Sequence, residues 1–238
     1  MAVYVVSDIH GEYDKLMEIL EKIDLKESDK LYILGDILDR GPHPIKVMIK
    51  IMGMANVIPI VGNHEIMGLR CLPFLMQEIT EESIDGLDRE MMEALLLWQE
   101  NGFSTTVDEF RRLDREMQQV VIDYIGEFLV YEELTVNGQE YLLVHAGLSN
   151  FSPDKKMEDY ALEELIWERA DYRQRYFEDK IVVTGHTPTQ LIKENPHPGR
   201  IYRNNGHIAI DCGACFRGGR LGAICLDTGE EFYSSDNE

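Results

Sequence analysis

Five short segments of this chain place a metal-binding type of side chain directly after an apolar run, and this pattern constrains the fold most. Because a sheet brings the ends of its strands together, residues far apart in the sequence are expected to meet at one edge. Mixed oxygen and nitrogen ligands suit a pair of divalent transition metals, so the pattern predicts a hydrolytic metalloenzyme. The segments are Asp8-Ile9-His10-Gly11, Gly35-Asp36-Ile37-Leu38-Asp39-Arg40-Gly41, Gly62-Asn63-His64-Glu65, His145-Ala146-Gly147 and Gly185-His186-Thr187.

The first 65 residues alternate between strand and helix patterns. Apolar residues recur at helical spacing from Leu16 to Ile23, and Pro44 is expected to open a second helix through Met52. This βαβαβ order predicts a mainly parallel sheet with helices on its faces. The signature segments then lie at the carboxyl edge of that sheet, where open α/β folds place their sites. The predicted strands are Val3–Val6, Leu31–Leu34 and Val57–Val61.

Between about residue 66 and residue 128 the pattern is helical. Met91, Leu95 and Trp98 share one helical face. We interpret this region as an inserted helical layer beside the site, and it could either cover the core or close over a substrate. A longer stripe is predicted from the spacing of Phe110, Leu113, Met117, Val121, Tyr124 and Phe128.

After residue 128 the pattern returns to strands. Asn137-Gly138 is a strong signal for a tight hairpin turn, and a helix is predicted around residues 159–170. These patterns predict two β-rich faces with helices outside, an α/β fold. The predicted strands are Leu129–Val136, Glu140–Val144, Ile181–Thr184, Ile208–Ile210, Leu221–Leu226 and Glu231–Tyr233.

Composition limits the partners that the chain can bind. The formal charge is −21 over 238 residues, so the surface should repel polymeric nucleic acid and anionic membranes. An anionic substrate would need local positive charge from metals or arginines. The absence of a basic leader, of a membrane-length apolar run and of a disulfide-rich cysteine pattern predicts a cytoplasmic protein.

The ligand types suggest how two metal ions could be held. Asp36 follows a sharp turn beside Gly35 and is the natural bridge between the ions. Asp8 and His10 lie two residues apart on an extended segment and can grip one ion together. The residues expected on the other ion are Asn63, His145 and His186.

His64 is the candidate general acid, because it follows Asn63 directly and is expected to face another way. Asp39 could bind its second ring nitrogen and raise the pKa of the imidazole through opposite charge. Arg40 can fork onto two phosphoryl oxygens. Asp211 could shape the edge of the site, although a plain strand end is the simpler interpretation.

The five segments, in this order, resemble the phosphoprotein phosphatase family of calcineurin-like metallophosphoesterases. That family includes Ser/Thr protein phosphatases and symmetrical diadenosine tetraphosphate hydrolases. The resemblance runs from residue 8 to about residue 226, with Ser7 in place of the usual glycine. It implies a central β-sandwich flanked by helices, with two metals at the strand ends.

The resemblance also implies a role for each matching position. Asp8, His10 and Asp36 would hold the first metal, and Asp36, Asn63, His145 and His186 the second. His64 with Asp39 would be the acid pair, and Arg40 would bind phosphate. Arg169, which follows Trp167-Glu168, is the candidate for a second phosphate ligand, with Arg173 and Arg175 as alternatives.

We therefore expect a single domain over residues 1–238, with a helical insertion at about residues 66–128. The predicted activity is hydrolysis of phosphoric esters by in-line attack of a hydroxide that bridges two metals, with manganese expected and iron or zinc also suited. Phosphoserine or phosphothreonine in proteins is the leading predicted substrate. The alternatives are a symmetrical bis(5'-nucleosyl)-tetraphosphate hydrolase and a non-catalytic metal-binding interaction module.

Overall fold

The apolar runs of the sequence form two stacked sheets in a computed structural model that describes residues 1–77 and 87–236. The first sheet has the order β10-β9-β1-β2-β3 once its strands are numbered along the chain. The three strands from the amino-terminal third are parallel, as predicted, and the two carboxyl-terminal strands add to them antiparallel. The strands are β1 (Val3–Val6), β2 (Lys30–Leu34), β3 (Val57–Ile60), β9 (Gly222–Cys225) and β10 (Glu231–Tyr233).

The second sheet has the order β4-β5-β6-β8-β7, and its three central strands are parallel. The predicted hairpin is present, and Asn137 and Gly138 have φ angles of 50° and 82°, the left-handed pair that a two-residue turn requires. A short edge strand, β7, was not predicted, because its residues Tyr202, Arg203 and Asn204 do not form an apolar run. The strands are β4 (Tyr131–Val136), β5 (Gln139–Val144), β6 (Lys180–Thr184), β7 (Tyr202–Asn204) and β8 (His207–Ala209).

Alternating side chains of the strands build the core between the sheets. Val5 and Leu34 from the first sheet pack with Leu143 and Val183 from the second. Val6, one position along, points to the other face and packs among helix residues such as Leu16. The result is a β-sandwich with helices on its outer faces, as the sequence predicted.

Helices cover both outer faces and form the expected layer before the hairpin. Helices α4 and α6 each begin after an aspartate, Asp88 and Asp114, whose side chain accepts a hydrogen bond from a backbone N–H of the first turn. Within the described residues, no helix is both long and apolar enough to cross a membrane. The helices are α1 (Tyr13–Ile23), α2 (Pro44–Met52), α3 (Asn63–Leu75), α4 (Arg89–Glu100), α5 (Ser104–Phe110), α6 (Arg115–Gly126) and α7 (Leu162–Ile166).

Two helical predictions need correction. The stripe from Phe110 to Phe128 is not one helix, because α5 ends at Phe110 and the Asp114 cap starts α6, leaving Met117 exposed. The helix predicted around residues 159–170 shortens to Leu162–Ile166. The part of the insertion at residues 78–86 lies outside the described residues.

Candidate active site

The carboxyl ends of five parallel strands, from both sheets, place the predicted ligands at one edge of the sandwich. The connecting segments run against one another, since the Asp8 N–H donates to the Gly35 carbonyl at 3.1 Å and the Gly185 N–H to the His145 carbonyl at 2.8 Å. A Cβ on Gly35 would lie 2.6 Å from the Cα of Gly62, so that contact requires glycine.

The backbone at this edge adopts conformations that L-residues usually avoid. Six of the predicted site residues have φ between 45° and 71°, in the left-handed region. Each such residue costs about 1 kcal/mol, less for the short polar side chains that tolerate this region. Strain of this kind collects where function fixes a side-chain direction. The residues are Asp8, His10, Asp36, Asp39, Arg40 and His186.

His10 and His145 present lone pairs to the oxygens of Asp36. The Nδ1 atoms donate to the carbonyls of Leu38 and Leu34, at 2.8 and 2.7 Å. The Nε2 atoms are then acceptors, and they lie 3.6 Å and 3.3 Å from the two carboxylate oxygens of Asp36.

Burial favours the uncharged forms of these groups, so the carboxylate forms of the aspartates would need a nearby cation. It lowers the pKa of His10 and His145 well below the usual histidine value, so the rings are neutral. It raises the pKa of Asp8 and Asp36, because neither carboxylate has water to stabilise its charge. Lone pairs that face one another in a dry site are stabilised by a bound cation, so this donor set fits divalent metal ions.

Two clusters of ligand atoms share Asp36. Ligand atoms of His10, Asp36 and His64 lie within 4.8 Å of one another, as do those of Asp36, His145 and His186. Asn63 joins the second group, with its Oδ1 atom 3.1 Å from Nε2 of His145.

Asp8 and Arg40 contact residues other than those expected from the sequence, where Asp8 was paired with His10 and Arg40 with phosphate. The carboxylate of Asp8 accepts the backbone N–H of His186 at 2.9 Å, and it lies near the aspartate that both clusters share. The guanidinium of Arg40 lies 2.8 Å from Nε2 of His10 and 2.9 Å from Nε2 of His64. A positive group therefore already sits against the acceptor nitrogens, which is consistent with a site for cations.

His64 and Asp39 form the predicted pair. Nδ1 of His64 lies 2.6 Å from Oδ2 of Asp39, and both side chains are fully buried. The same carboxylate accepts hydrogen bonds from Nε1 of Trp98 at 2.7 Å and from the hydroxyl of Thr106 at 2.6 Å. Nε2 of His64 consequently faces Asp36, with Oδ2 of that residue 3.9 Å away.

The predicted rise in the pKa of His64 is wrong in direction. Burial lowers the pKa of His64 well below the usual value, and the charge of Arg40 lowers it further. Burial also raises the pKa of Asp39 to about 7, although Thr106 and Trp98 oppose that rise. Opposite charge alone suggested the other sign, since the sequence reveals neither the complete burial nor the position of Arg40.

A cleft of about 380 Å³ opens onto these groups. Arg169 lines it together with Arg40, whereas Arg173 binds Asp171 and Arg175 donates to the Phe177 carbonyl. Arg169 is therefore the better placed of the three candidates. The other lining residues are Asp36, Asn63, Asn101, Trp167, His186, Pro188, Leu191 and Phe216.

Glu65 is a site residue to which sequence reasoning gave no role. Its fully buried carboxylate accepts the backbone N–H groups of Gly62, Asp36, Ile37 and Leu38 at 2.8 to 3.1 Å. One side chain thus fixes the two segments that carry Asp36 and Asn63. The signal was available, because a glutamate three residues after the N-cap, here Gly62, is half of a capping box.

Asp211 also belongs to the site. It is buried beside Asp8, and its charge helps to raise the pKa of that carboxyl group. Burial raises the pKa of Asp211 itself to about 6. Its carboxylate accepts the Gly213 N–H at 2.8 Å, so Asp211 shapes the edge of the site rather than simply ending a strand.

Comparison of the sequence with known proteins identifies a matching family. The sequence pattern of the calcineurin-like phosphoesterases covers residues 1–211. A symmetrical bis(5'-nucleosyl)-tetraphosphatase from Erwinia tasmaniensis is 28% identical over 48% of this chain and 42% of its own length. The chain therefore spans about two fifths of that relative. An asymmetrical bis(5'-nucleosyl)-tetraphosphatase from Halalkalibacterium halodurans is 28% identical over 92% of this chain and 88% of its own length.

Solved structures show the same fold. A protein provisionally described as a diadenosine tetraphosphatase superposes with a TM-score of 0.67 at 17% identity, covering all of this chain and 94% of the other. A protein serine/threonine phosphatase from Saccharomyces cerevisiae gives a TM-score of 0.58 at 12% identity, covering all of this chain and 80% of the other. At these identities the likeness concerns the fold alone.

Proposed function

The chain belongs to the calcineurin-like phosphoesterase family, and from this premise we propose that it hydrolyses a dinucleoside polyphosphate at a site for two divalent metals. The observation that carries the proposal is the pair of neutral imidazoles whose acceptor nitrogens face the carboxylate oxygens of Asp36. Such a donor set is suited to divalent cations and is of little use to a buried core without them.

We assign the ligands as the sequence predicted. Asp8, His10 and Asp36 would hold one ion, and Asp36, Asn63, His145 and His186 the other. When bound, the ions supply an activated water and stabilise negative charge on the phosphoryl group. Manganese is the expected metal, while iron and zinc also suit the ligands.

The chain's own side chains would orient the substrate and move a proton. Arg40 and Arg169 line the cleft and can bind phosphoryl oxygens with paired hydrogen bonds. His64 would donate a proton from Nε2 to the departing oxygen in its doubly protonated form, which its lowered pKa makes the minor form at neutral pH. Asp39 would hold Nδ1 and keep the ring in that orientation.

Two kinds of substrate are compatible with this chemistry. The relative that covers 92% of the chain acts, by its name, on bis(5'-nucleosyl) tetraphosphates, and this supports a dinucleotide first. Protein phosphoserine or phosphothreonine, the leading prediction from the sequence, stays a second candidate because protein phosphatases share the motifs that carry the resemblance.

The proposal is tested by turnover of the manganese-loaded protein on diadenosine tetraphosphate, a phosphoserine peptide and p-nitrophenyl phosphate. Two ADP molecules would indicate symmetrical cleavage, ATP with AMP asymmetrical cleavage, and inorganic phosphate a phosphatase. Asp36→Asn should lose at least one ion by elemental analysis. Asp24→Asn is the matched control, because Asp24 is an exposed aspartate that also has a left-handed φ, of 48°.

Two outcomes would contradict the proposal. If both ions bind and none of the three substrates is hydrolysed, the chain is a metal-binding module without catalysis. If Asp36→Asn retains both ions at full occupancy, Asp36 does not bridge them.

A further inference from the structure

Two exposed apolar side chains line the same cleft as the arginines. Phe216 is 44% exposed and Leu191 is 57% exposed, and both face the cleft that Arg40 and Arg169 share. The guanidinium carbon of Arg40 lies 5.9 Å from the centroid of the Phe216 ring. A phosphate-binding group and an aromatic face thus stand side by side.

The loop that carries Phe216 is held in place by a buried lysine of α1. The amine of Lys15, which is only 7% exposed, donates to the carbonyls of Ala214 at 2.7 Å and Gly219 at 2.9 Å. Within the loop, the Phe216 N–H donates to the Gly213 carbonyl and the Gly219 N–H to the Phe216 carbonyl, both at 2.9 Å. An exposed aromatic residue is therefore held on a constrained loop rather than on a loose one.

The segment that carries Leu191 is tied to the same loop. The Thr189 N–H donates to the carbonyl of Asp211 at 2.8 Å, and Nε2 of Gln190 donates to the carbonyl of Cys212 at 2.9 Å. These hydrogen bonds fix the position of the Leu191 segment relative to the Phe216 loop, and both segments line the cleft with the arginines. Preorganisation of this kind favours a ligand that is itself rigid.

We propose that Phe216, with Leu191 beside it, forms the subsite for the nucleobase of a nucleotide whose phosphate binds Arg40 and Arg169. This assignment rests on the proposed function and names its substrate class. A nucleobase is planar and uncharged, and every base has a π-face that can stack on an aromatic ring. A ribose can bridge the separation between Arg40 and Phe216.

A pair of ligands that differ only in the base tests the proposal. Isothermal titration calorimetry would compare AMP and ribose 5-phosphate on the manganese-loaded wild type, Phe216→Ala and Phe216→Trp. We expect the wild type to bind AMP about tenfold more tightly than ribose 5-phosphate or better, which is the size of one base–aromatic stack. Phe216→Ala should lose that preference without changing the affinity for ribose 5-phosphate, and Phe216→Trp should retain it.

Ile49→Ala serves as the control, because Ile49 is an exposed apolar residue on α2 that does not line the cleft. Equal affinities of the wild type for the two ligands would overturn the proposal, as would a preference that survives in Phe216→Ala. If Phe216→Ala instead weakens a phosphoserine peptide and leaves AMP unaffected, the ring serves a peptide and the nucleotide assignment fails. Binding needs no turnover, so failure of the hydrolase proposal shows separately, as an absence of p-nitrophenyl phosphate hydrolysis.

Discussion

At the scale of single residues, His64 and Asp39 show which properties of a site can be predicted from sequence. Their pairing was predicted from the chemistry of the side chains and from the family resemblance, and the structure places Nδ1 of His64 2.6 Å from Asp39. The direction of the pKa shift of His64 was not predictable, because it follows from complete burial and from the nearby Arg40. The motif thus identifies partners, and the fold decides their protonation.

His64→Ala should slow substrates with poor leaving groups far more than p-nitrophenyl phosphate. General acid catalysis contributes about 10²- to 10⁴-fold, and a p-nitrophenolate needs little protonation to depart. Comparison of kcat for an alkyl phosphate and for p-nitrophenyl phosphate would measure the difference. His197→Ala, at an exposed histidine away from the cleft, is the control. Equal losses on both substrates would contradict the acid role.

At the scale of elements, the inserted helices hold His64 and Asp39 in place. Trp98 of α4 and Thr106 of α5 both donate to Asp39, and the Arg40 N–H donates to the Gly102 carbonyl between those helices at 3.0 Å. A covering layer and a substrate lid were the two interpretations left open by the sequence. The described part of the layer covers the core, since Trp98 and Phe110 are fully buried in it, and the layer also orients the carboxylate that contacts His64.

Thr106→Val should destabilise the fold and impair the acid step together. The Thr106 hydroxyl donates to Oδ1 of Asp39 and accepts the Asp39 N–H at 2.9 Å, so valine leaves buried polar groups unpaired at a cost of about 1–3 kcal/mol. Urea unfolding and turnover of an alkyl phosphate would measure both effects.

Two neighbouring variants control this experiment. Thr106→Ser keeps the hydroxyl and should keep most of the activity. Thr105→Val should be nearly neutral, because the Thr105 hydroxyl is buried without a hydrogen-bond partner among the described residues. A Thr106→Val protein as stable and active as Thr106→Ser would show that the layer does not support Asp39.

Helix α7 carries a pH-dependent contribution to stability. Hydrogen bonds from Lys155, Asn150 and the Ala161 N–H lower the pKa of Glu164 from 4.5 to about 2. A lowered folded-state pKa means that the stabilisation is complete above 4.5 and is lost as the pH falls towards about 2. The difference in unfolding free energy between wild type and Glu164→Gln should therefore shrink across that window. A difference that grows on acidification would contradict the assignment.

Strands could be predicted more fully than helices. The β-branched run Val3–Val6 and the Asn137-Gly138 turn are local signals, and the structure has the corresponding elements. The break between α5 and α6 depended on the Asp114 cap, which competes with a continuing apolar stripe. Phe216 carried no periodic or motif signal, because its exposure in the cleft arises from a loop that Lys15 holds from a distant helix.

At the scale of the whole molecule, the charge of −21 opposes the approach of any anionic substrate. Raising the ionic strength from about 0.01 M to about 0.15 M shortens the screening length from about 30 Å to about 8 Å and should raise kcat/KM. The increase should be larger for diadenosine tetraphosphate than for p-nitrophenyl phosphate, which carries less charge. A steep fall with salt would instead mean that Arg40 and Arg169 dominate the field at the cleft.

The residues with a left-handed backbone at the strand ends lower the stability of the fold, and the candidate site depends on their side chains. Replacing Asp8, Asp36 or His186 with glycine would relax the backbone there while deleting a proposed ligand. A sequence optimised for stability alone would have glycine at these positions, because glycine adopts a positive φ without strain. All six positions carry side chains, so the chain combines a strained backbone with the polar groups of the candidate site.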